Sequence, residues 1–211
     1  MLAAAEDSWC GSWADYDRDG DLDLFVGRGY GSSDGLSGQA ALQDRLFRND
    51  LNLGGGFVDV SAAAGIDQNS GRWDLTLGSA WGDFDQDGDV DLFTTRAIDP
   101  LPLGGPGAPA AGSLLYVNQG DGTFVESSDT LIDTNIVYAD GAVWTDFDQD
   151  GDLDLVVSLW FAQGFAGLQL FRNNAGSLEW AEEYQPVTEG ISAIGVSILD
   201  HNLDGMVDFL G

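Results

Sequence analysis

The chain has 211 residues, no lysine, seven arginines and 36 acidic residues, 30 of them Asp, for a formal net charge of −29. So few guanidinium groups cannot neutralise a phosphate backbone, which excludes a nucleic-acid binder, and an anionic membrane surface would repel the chain for the same reason. Hydrophobic residues make up 44%, with seven Trp and 11 Phe, which excludes disorder and provides a core for one or two domains.

The 30 Gly and 30 Asp are poor helix formers that suit short strands joined by tight turns. Cys10 is the only cysteine, so no intrachain disulfide forms, and it reads as a small buried or half-buried residue. No apolar run approaches the roughly 20 residues of a membrane span. No basic segment precedes an apolar one at the start, so the chain is expected either not to be exported or to lack its exporting segment here.

In chain order, the first predicted unit opens on a strand containing Trp13. It turns through Asp15-Tyr16-Asp17-Arg18-Asp19-Gly20-Asp21-Leu22-Asp23-Leu24, and continues to Leu46-Phe47-Arg48-Asn49 and, after a glycine turn, Phe57-Val58-Asp59-Val60. The second unit has a strand at 76–82 with Trp81, then Asp83-Phe84-Asp85-Gln86-Asp87-Gly88-Asp89-Val90-Asp91-Leu92. A strand at 91–96, a proline-rich surface segment from Pro100 to Ser113, and strands at 114–118 and 123–127 complete it. The third has Trp144, Asp146-Phe147-Asp148-Gln149-Asp150-Gly151-Asp152-Leu153-Asp154-Leu155, Leu170-Phe171-Arg172-Asn173 and Ser177–Trp180. The fourth begins with Ile198 and Asp200-His201-Asn202-Leu203-Asp204-Gly205-Met206-Val207-Asp208-Phe209, and the sequence stops at Gly211.

Four antiparallel strands repeated at this period predict the blades of a β-propeller. The expected fold is all-β: a partial propeller of about three and a half blades, the last a half blade. Blade one covers residues 8–66, blade two 74–131, blade three 138–188 and the half blade 191–211. A half ring would expose an apolar face and a strand edge, so the sequence is expected to be a fragment of a larger ring.

Five carboxylates in nine residues repel one another and call for a cation. Asp at loop positions 1, 3 and 5, Gly at 6 and Asp at 9 match the opening of a calcium loop. Oxygen donors without His or Cys favour calcium over zinc or copper, and the flexible, high-count shell favours it over magnesium. The predicted ligands are Asp15, Asp17, Asp19, the Asp21 carbonyl and Asp23; Asp83, Asp85, Asp87, the Asp89 carbonyl and Asp91; Asp146, Asp148, Asp150, the Asp152 carbonyl and Asp154; and Asp200, Asn202, Asp204, the Met206 carbonyl and Asp208. Up to four Ca2+ ions are expected. The fourth site, with an amide in place of one carboxylate, is the weakest. The position-7 side chains are expected to point outward, since Met206 stands there.

These Asp-x-Asp-x-Asp-Gly-Asp-x-Asp-Leu loops resemble FG-GAP/VCBS repeats, the calcium-binding blades of integrin-α-type propellers. The lead-in Trp81-Gly82-Asp83-Phe84-Asp85, with Leu46-Phe47-Arg48-Asn49 and Phe57-Val58-Asp59-Val60-Ser61-Ala62-Ala63-Ala64-Gly65-Ile66, resembles bacterial proteins related to cartilage acidic protein, which often end in an ASPIC/UnbV domain. The resemblance implies a secreted or cell-surface location (periplasm included), where millimolar calcium fills such sites. It also implies a scaffold for adhesion or for binding a protein or glycan, with the remaining blades as a further partner. The alternative is a non-catalytic or partial segment of a secreted enzyme such as a polysaccharide lyase or lipase.

No catalytic constellation separates from the calcium ligands, so no enzyme is expected. His201 takes the place of Tyr16, Phe84 and Phe147 and is expected to pack as they do. Trp13, Trp81 and Trp144 share one blade position and are expected in the core, while Trp73, Trp160 and Trp180 are better candidates for exposure, though still mostly core. The non-repeating segments 28–44 and 97–113 are the candidate binding loops.

Overall fold

The computed structural model describes residues 8–28, 43–66, 74–98, 112–127, 139–159, 167–184 and 195–210. The first sheet has β1 (Ser8–Ala14), β2 (Asp23–Arg28), β3 (Arg45–Asn49) and β4 (Phe57–Asp59), the second β5 (Asp74–Gly82), β6 (Asp91–Ile98), β7 (Leu114–Asn118) and β8 (Phe124–Glu126). The third has β9 (Ala139–Thr145), β10 (Asp154–Leu159), β11 (Gly167–Asn173) and β12 (Leu178–Trp180), and a two-stranded sheet holds β13 (Ser197–Leu199) and β14 (Asp208–Leu210). Every neighbouring pair is antiparallel and every sheet keeps chain order, so each acidic loop joins the first two strands of its blade. One helical turn, α1 (Ser61–Ala64), caps the first blade and closes on Gly65 in a left-handed conformation.

Strand register explains how the blades stack. Trp81, Leu92 and Tyr116 stand in one cross-strand row, and Trp144, Leu155 and Phe171 form its counterpart in blade three. The next rows, Phe25 with Leu46, Phe93 with Leu115, and Val156 with Leu170, point to the opposite face because side chains alternate along a strand. The tryptophan row of each blade packs against the alternate row of the blade before it. Leu92 and Tyr116 join Phe25 and Leu46 in one core, Leu155 and Phe171 join Phe93 and Leu115 in another, and Val156 and Leu170 pack with Val196 and Phe209 of the half blade.

This stacking corrects two sequence expectations. Trp144 is 7% exposed and lies over Gly82, where a Cβ would come within 2.7 Å of the indole, but Trp13 is 52% exposed. Trp81 donates its indole N–H to Ser12 Oγ at 3.0 Å, and Trp144 donates to the equivalent Ala80 carbonyl at 3.4 Å. Among the described residues no blade lies before Trp13, and its ring meets only Phe57 edge-on. His201 fails to pack for the converse reason. Tyr16, Phe84 and Phe147 are buried against the blade that follows, whereas the half blade is the last described sheet and leaves the His201 side chain 73% exposed, 3.4 Å from Asp208. Trp180 is partly buried, packing edge-on against Phe171 at the core's edge as expected, while Trp73 and Trp160 lie outside the described residues.

Candidate metal centre

The four loops share one backbone geometry. Position 4 takes a positive φ in each (Arg18 57°, Gln86 60°, Gln149 64°, Leu203 62°), and the position-6 glycine lies at 92°, 92°, 100° and 86°. Glycine is required there because a Cβ strains that conformation. The glycine N–H then donates to the position-1 carboxylate in all four loops, at 3.1, 3.1, 3.1 and 2.9 Å. Position 5 donates to the position-3 side chain, and position 7 donates to the position-5 carboxylate. The alternating carboxylates are thereby held toward the inside of the turn.

Three carboxylate oxygens converge in each of three loops. Asp15, Asp17 and Asp19 bring theirs within 4.8 Å of one another, as do Asp83, Asp85 and Asp91, and Asp146, Asp148 and Asp154. Asp23, Asp87 and Asp150 line the same turns outside those groupings, and no such grouping forms in the fourth loop among the described residues. There the Asn202 amide, standing where the others have Asp, donates to Asp204 at 3.0 Å.

The donor set fits a cation. Asp15 Oδ1 and Asp83 Oδ1 are buried and accept no hydrogen bond among the described residues, an arrangement that costs free energy unless a cation completes it. The position-9 carboxylates Asp23, Asp91 and Asp154 are fully buried, and burial pushes each up to about 6. Two backbone N–H donors oppose that rise in each case. One comes from the aromatic at position 2, and the other from Asn49, Asn118 or Asn173 at 2.8 Å. Burial and then the neighbouring like charge (Asp19 and Asp87) also raise Asp17 and Asp85.

Three of the position-7 side chains turn away from their own loop toward the preceding one, and Asp21 accepts from Asn52. Asp89 is buried and pairs with Arg18 of the preceding loop at 2.9 Å, Asp152 accepts from Gln86 of the preceding loop, and the Met206 sulfur accepts from Gln149. In the second, third and fourth loops position 7 faces the neighbouring blade.

Sequence reading found the Leu-Phe-Arg-Asn motif but gave it no task. Its Asn closes the loop. Besides the backbone bond to position 9, Asn118 donates its side-chain amide to the Val90 carbonyl at 3.1 Å and to the Tyr16 carbonyl of the previous blade at 2.9 Å. Asn173 does the same to Leu153 and Phe84. Recurrence at a fixed place after each loop was the available signal.

At the opposite ends of the strands lies a second polar cluster that sequence reading missed. Asp44 accepts from the Arg28 N–H at 3.0 Å and the Thr76 hydroxyl at 2.9 Å, and pairs with the fully buried Arg96 at 3.5 Å. It stands at the base of the two segments expected to bind a partner, whose residues 29–42 and 99–111 lie outside the described residues. Cys10 matches its expectation: its thiol sits half-buried between blades one and two, 4.0 Å from Ser79 Oγ, and burial pushes it up to about 11.

These loops and blades now have a counterpart among known families. The FG-GAP-like repeat model matches residues 106–157. The matched stretch takes in β7 and β8 of blade two, and β9, the acidic loop and the first part of β10 of blade three. No curated protein matches the chain. No helix among the described residues is long and apolar enough to cross a membrane.

Proposed function

We propose that the chain is a calcium-stiffened, non-catalytic β-propeller scaffold that binds a protein or glycan outside the cell or at its surface. One loop geometry recurring at four equivalent places, with orphaned carboxylate oxygens in two of them, carries the reading. Such sites need no catalysis to be useful. Each ion ties together the turn between two strands, and each site at 100 times its dissociation constant adds about 2.7 kcal/mol to the folded state. The segments at the other end of the blades are then free to carry the partner. The narrower placement near cartilage-acidic-protein-like bacterial proteins rests on the Trp-Gly-Asp lead-in and the Phe57–Ile66 segment.

Calorimetric titration with Ca2+, and melting curves before and after EDTA, test the reading. Up to four ions and a large drop in Tm on chelation are expected, and no uptake of calcium by the folded chain would end it. Asp85→Ala with Asp87→Ala is expected to lower Tm in calcium more than Asn202→Ala with Asp204→Ala. Equal losses would overturn the ranking of the fourth site as weakest.

A further inference from the structure

We propose that the cation sites of adjacent blades are coupled through side-chain amides, so that filling one loop raises the affinity of its neighbour. The inference rests on the calcium reading above, and concerns residues outside the predicted ligand set. Its buried arm is continuous between the second and third loops. The Phe84 N–H donates to Asp91 Oδ2 at 2.8 Å, the Phe84 carbonyl accepts from Asn173 Nδ2 at 2.6 Å, and the Asn173 N–H donates to Asp154 Oδ1 at 2.8 Å. Asp91 and Asp154, one candidate ligand from each site, stand at its two ends.

The same arm joins the first and second loops. It runs from Asp23 through the Tyr16 N–H, the Tyr16 carbonyl and Asn118 to Asp91 Oδ1, in steps of 3.2, 2.9 and 2.8 Å. Asp91 therefore receives one relay on each oxygen. Neither Asn has slack: the Asn118 Oδ1 accepts from the Gly120 N–H at 3.1 Å and the Asn173 Oδ1 from the Gly176 N–H at 2.9 Å.

A second arm runs along the exposed rim. Gln86, at position 4 of the second loop, donates to the Gly151 carbonyl at 2.9 Å. The same peptide unit's N–H, on Asp152, donates to Asp150 Oδ1 at 2.9 Å. Gln149 repeats this on Gly205, whose peptide N–H on Met206 holds Asp204. Arg18 reaches Asp89 instead. In the rim arm one peptide is gripped by the neighbouring blade through its carbonyl and holds a candidate ligand through its N–H; in the buried arm one aromatic residue does both through its two flanking peptides. An ion that fixes that ligand fixes the peptide and so pre-orders the neighbouring turn. Polarised hydrogen bonds in series and a shared ordering cost give the coupling a positive sign.

The experiment follows the position-6 glycine amides by NMR while the full 211-residue chain is titrated with Ca2+ alone. Gly88 reports the second site and Gly151 the third, since each N–H binds the position-1 carboxylate of its own loop. Asp150→Ala, which cripples the third site, is expected to move the Gly88 midpoint to higher calcium by about fivefold or more. Asp87→Ala should move the Gly151 midpoint by the same factor, because binding linkage is reciprocal. Gln86 is exposed, so Gln86→Ala folds and should diminish both shifts. The buried Asn173→Ala should act in the same direction. A Gly88 midpoint that Asp150→Ala leaves in place would overturn the coupling, and shifts that survive both Gln86→Ala and Asn173→Ala undiminished would overturn its route through the amides, while leaving calcium binding intact. Loop glycines that ignore calcium in the unaltered chain would instead remove the calcium reading, and the coupling with it.

Discussion

At the scale of single residues, Asp23, Asp91 and Asp154 set the pH behaviour of the metal-free chain. Burial raises each to about 6 against the pull of two N–H donors. The folded chain therefore holds these protons more tightly than the unfolded chain does. The stability that they contribute is fully present below the ordinary carboxylate range and is lost as pH rises through about 6. In EDTA, scanning calorimetry is expected to show Tm falling across that window. In excess calcium the trend should reverse, because the ion takes the place of the proton. A flat metal-free profile would mean that the position-9 carboxylates are not held in the desolvated sites seen here. These residues were legible as candidate ligands because Asp at a fixed step from a glycine is a local pattern. Their burial was not, because it comes from strands and blades distant in sequence.

At the scale of elements, the strands follow from alternation and turn chemistry, and the predicted 76–82, 91–96, 114–118 and 123–127 sit within or beside the observed β5 to β8. What alternation could not supply is the pairing of particular polar groups across blades. Asp44 follows β2 and Arg96 lies on β6, and neither belongs to a recurring motif, yet the pair is buried at 3.5 Å between blades one and two. Asp44→Ala removes the acid opposite a buried guanidinium and is expected to cost about 3–5 kcal/mol. The urea midpoint checks this, and a loss near that of an ordinary surface substitution would show that the pair does not hold the blades together.

At the scale of the whole molecule, equivalent positions acquire different weights from their neighbours. Trp144→Ala empties a pocket between two blades and is expected to cost about 3–5 kcal/mol. Trp13→Ala loses little beyond an edge contact with Phe57 and is expected to cost about 1 kcal/mol. Chemical denaturation of the two variants measures the contrast, and equal losses would show that something covers the first blade's outer face in solution. The exposed Trp9, Trp13 and Phe57 mark that face.

The sequence by itself determined the repeat, the all-β class, the strand positions and the four acidic turns, because each depends on residues a few positions apart. Period-two alternation, Asp and Gly in tight turns, and carboxylates on odd positions are short-range physics. Only the tertiary structure decided which copy of a repeated residue is buried. It also decided that Asp89, Asp152 and Met206 face the preceding loop and that Asn118 reaches the Tyr16 carbonyl across a separation of 102 residues. Those outcomes depend on what the next blade places opposite each row, and no pattern within one blade encodes that.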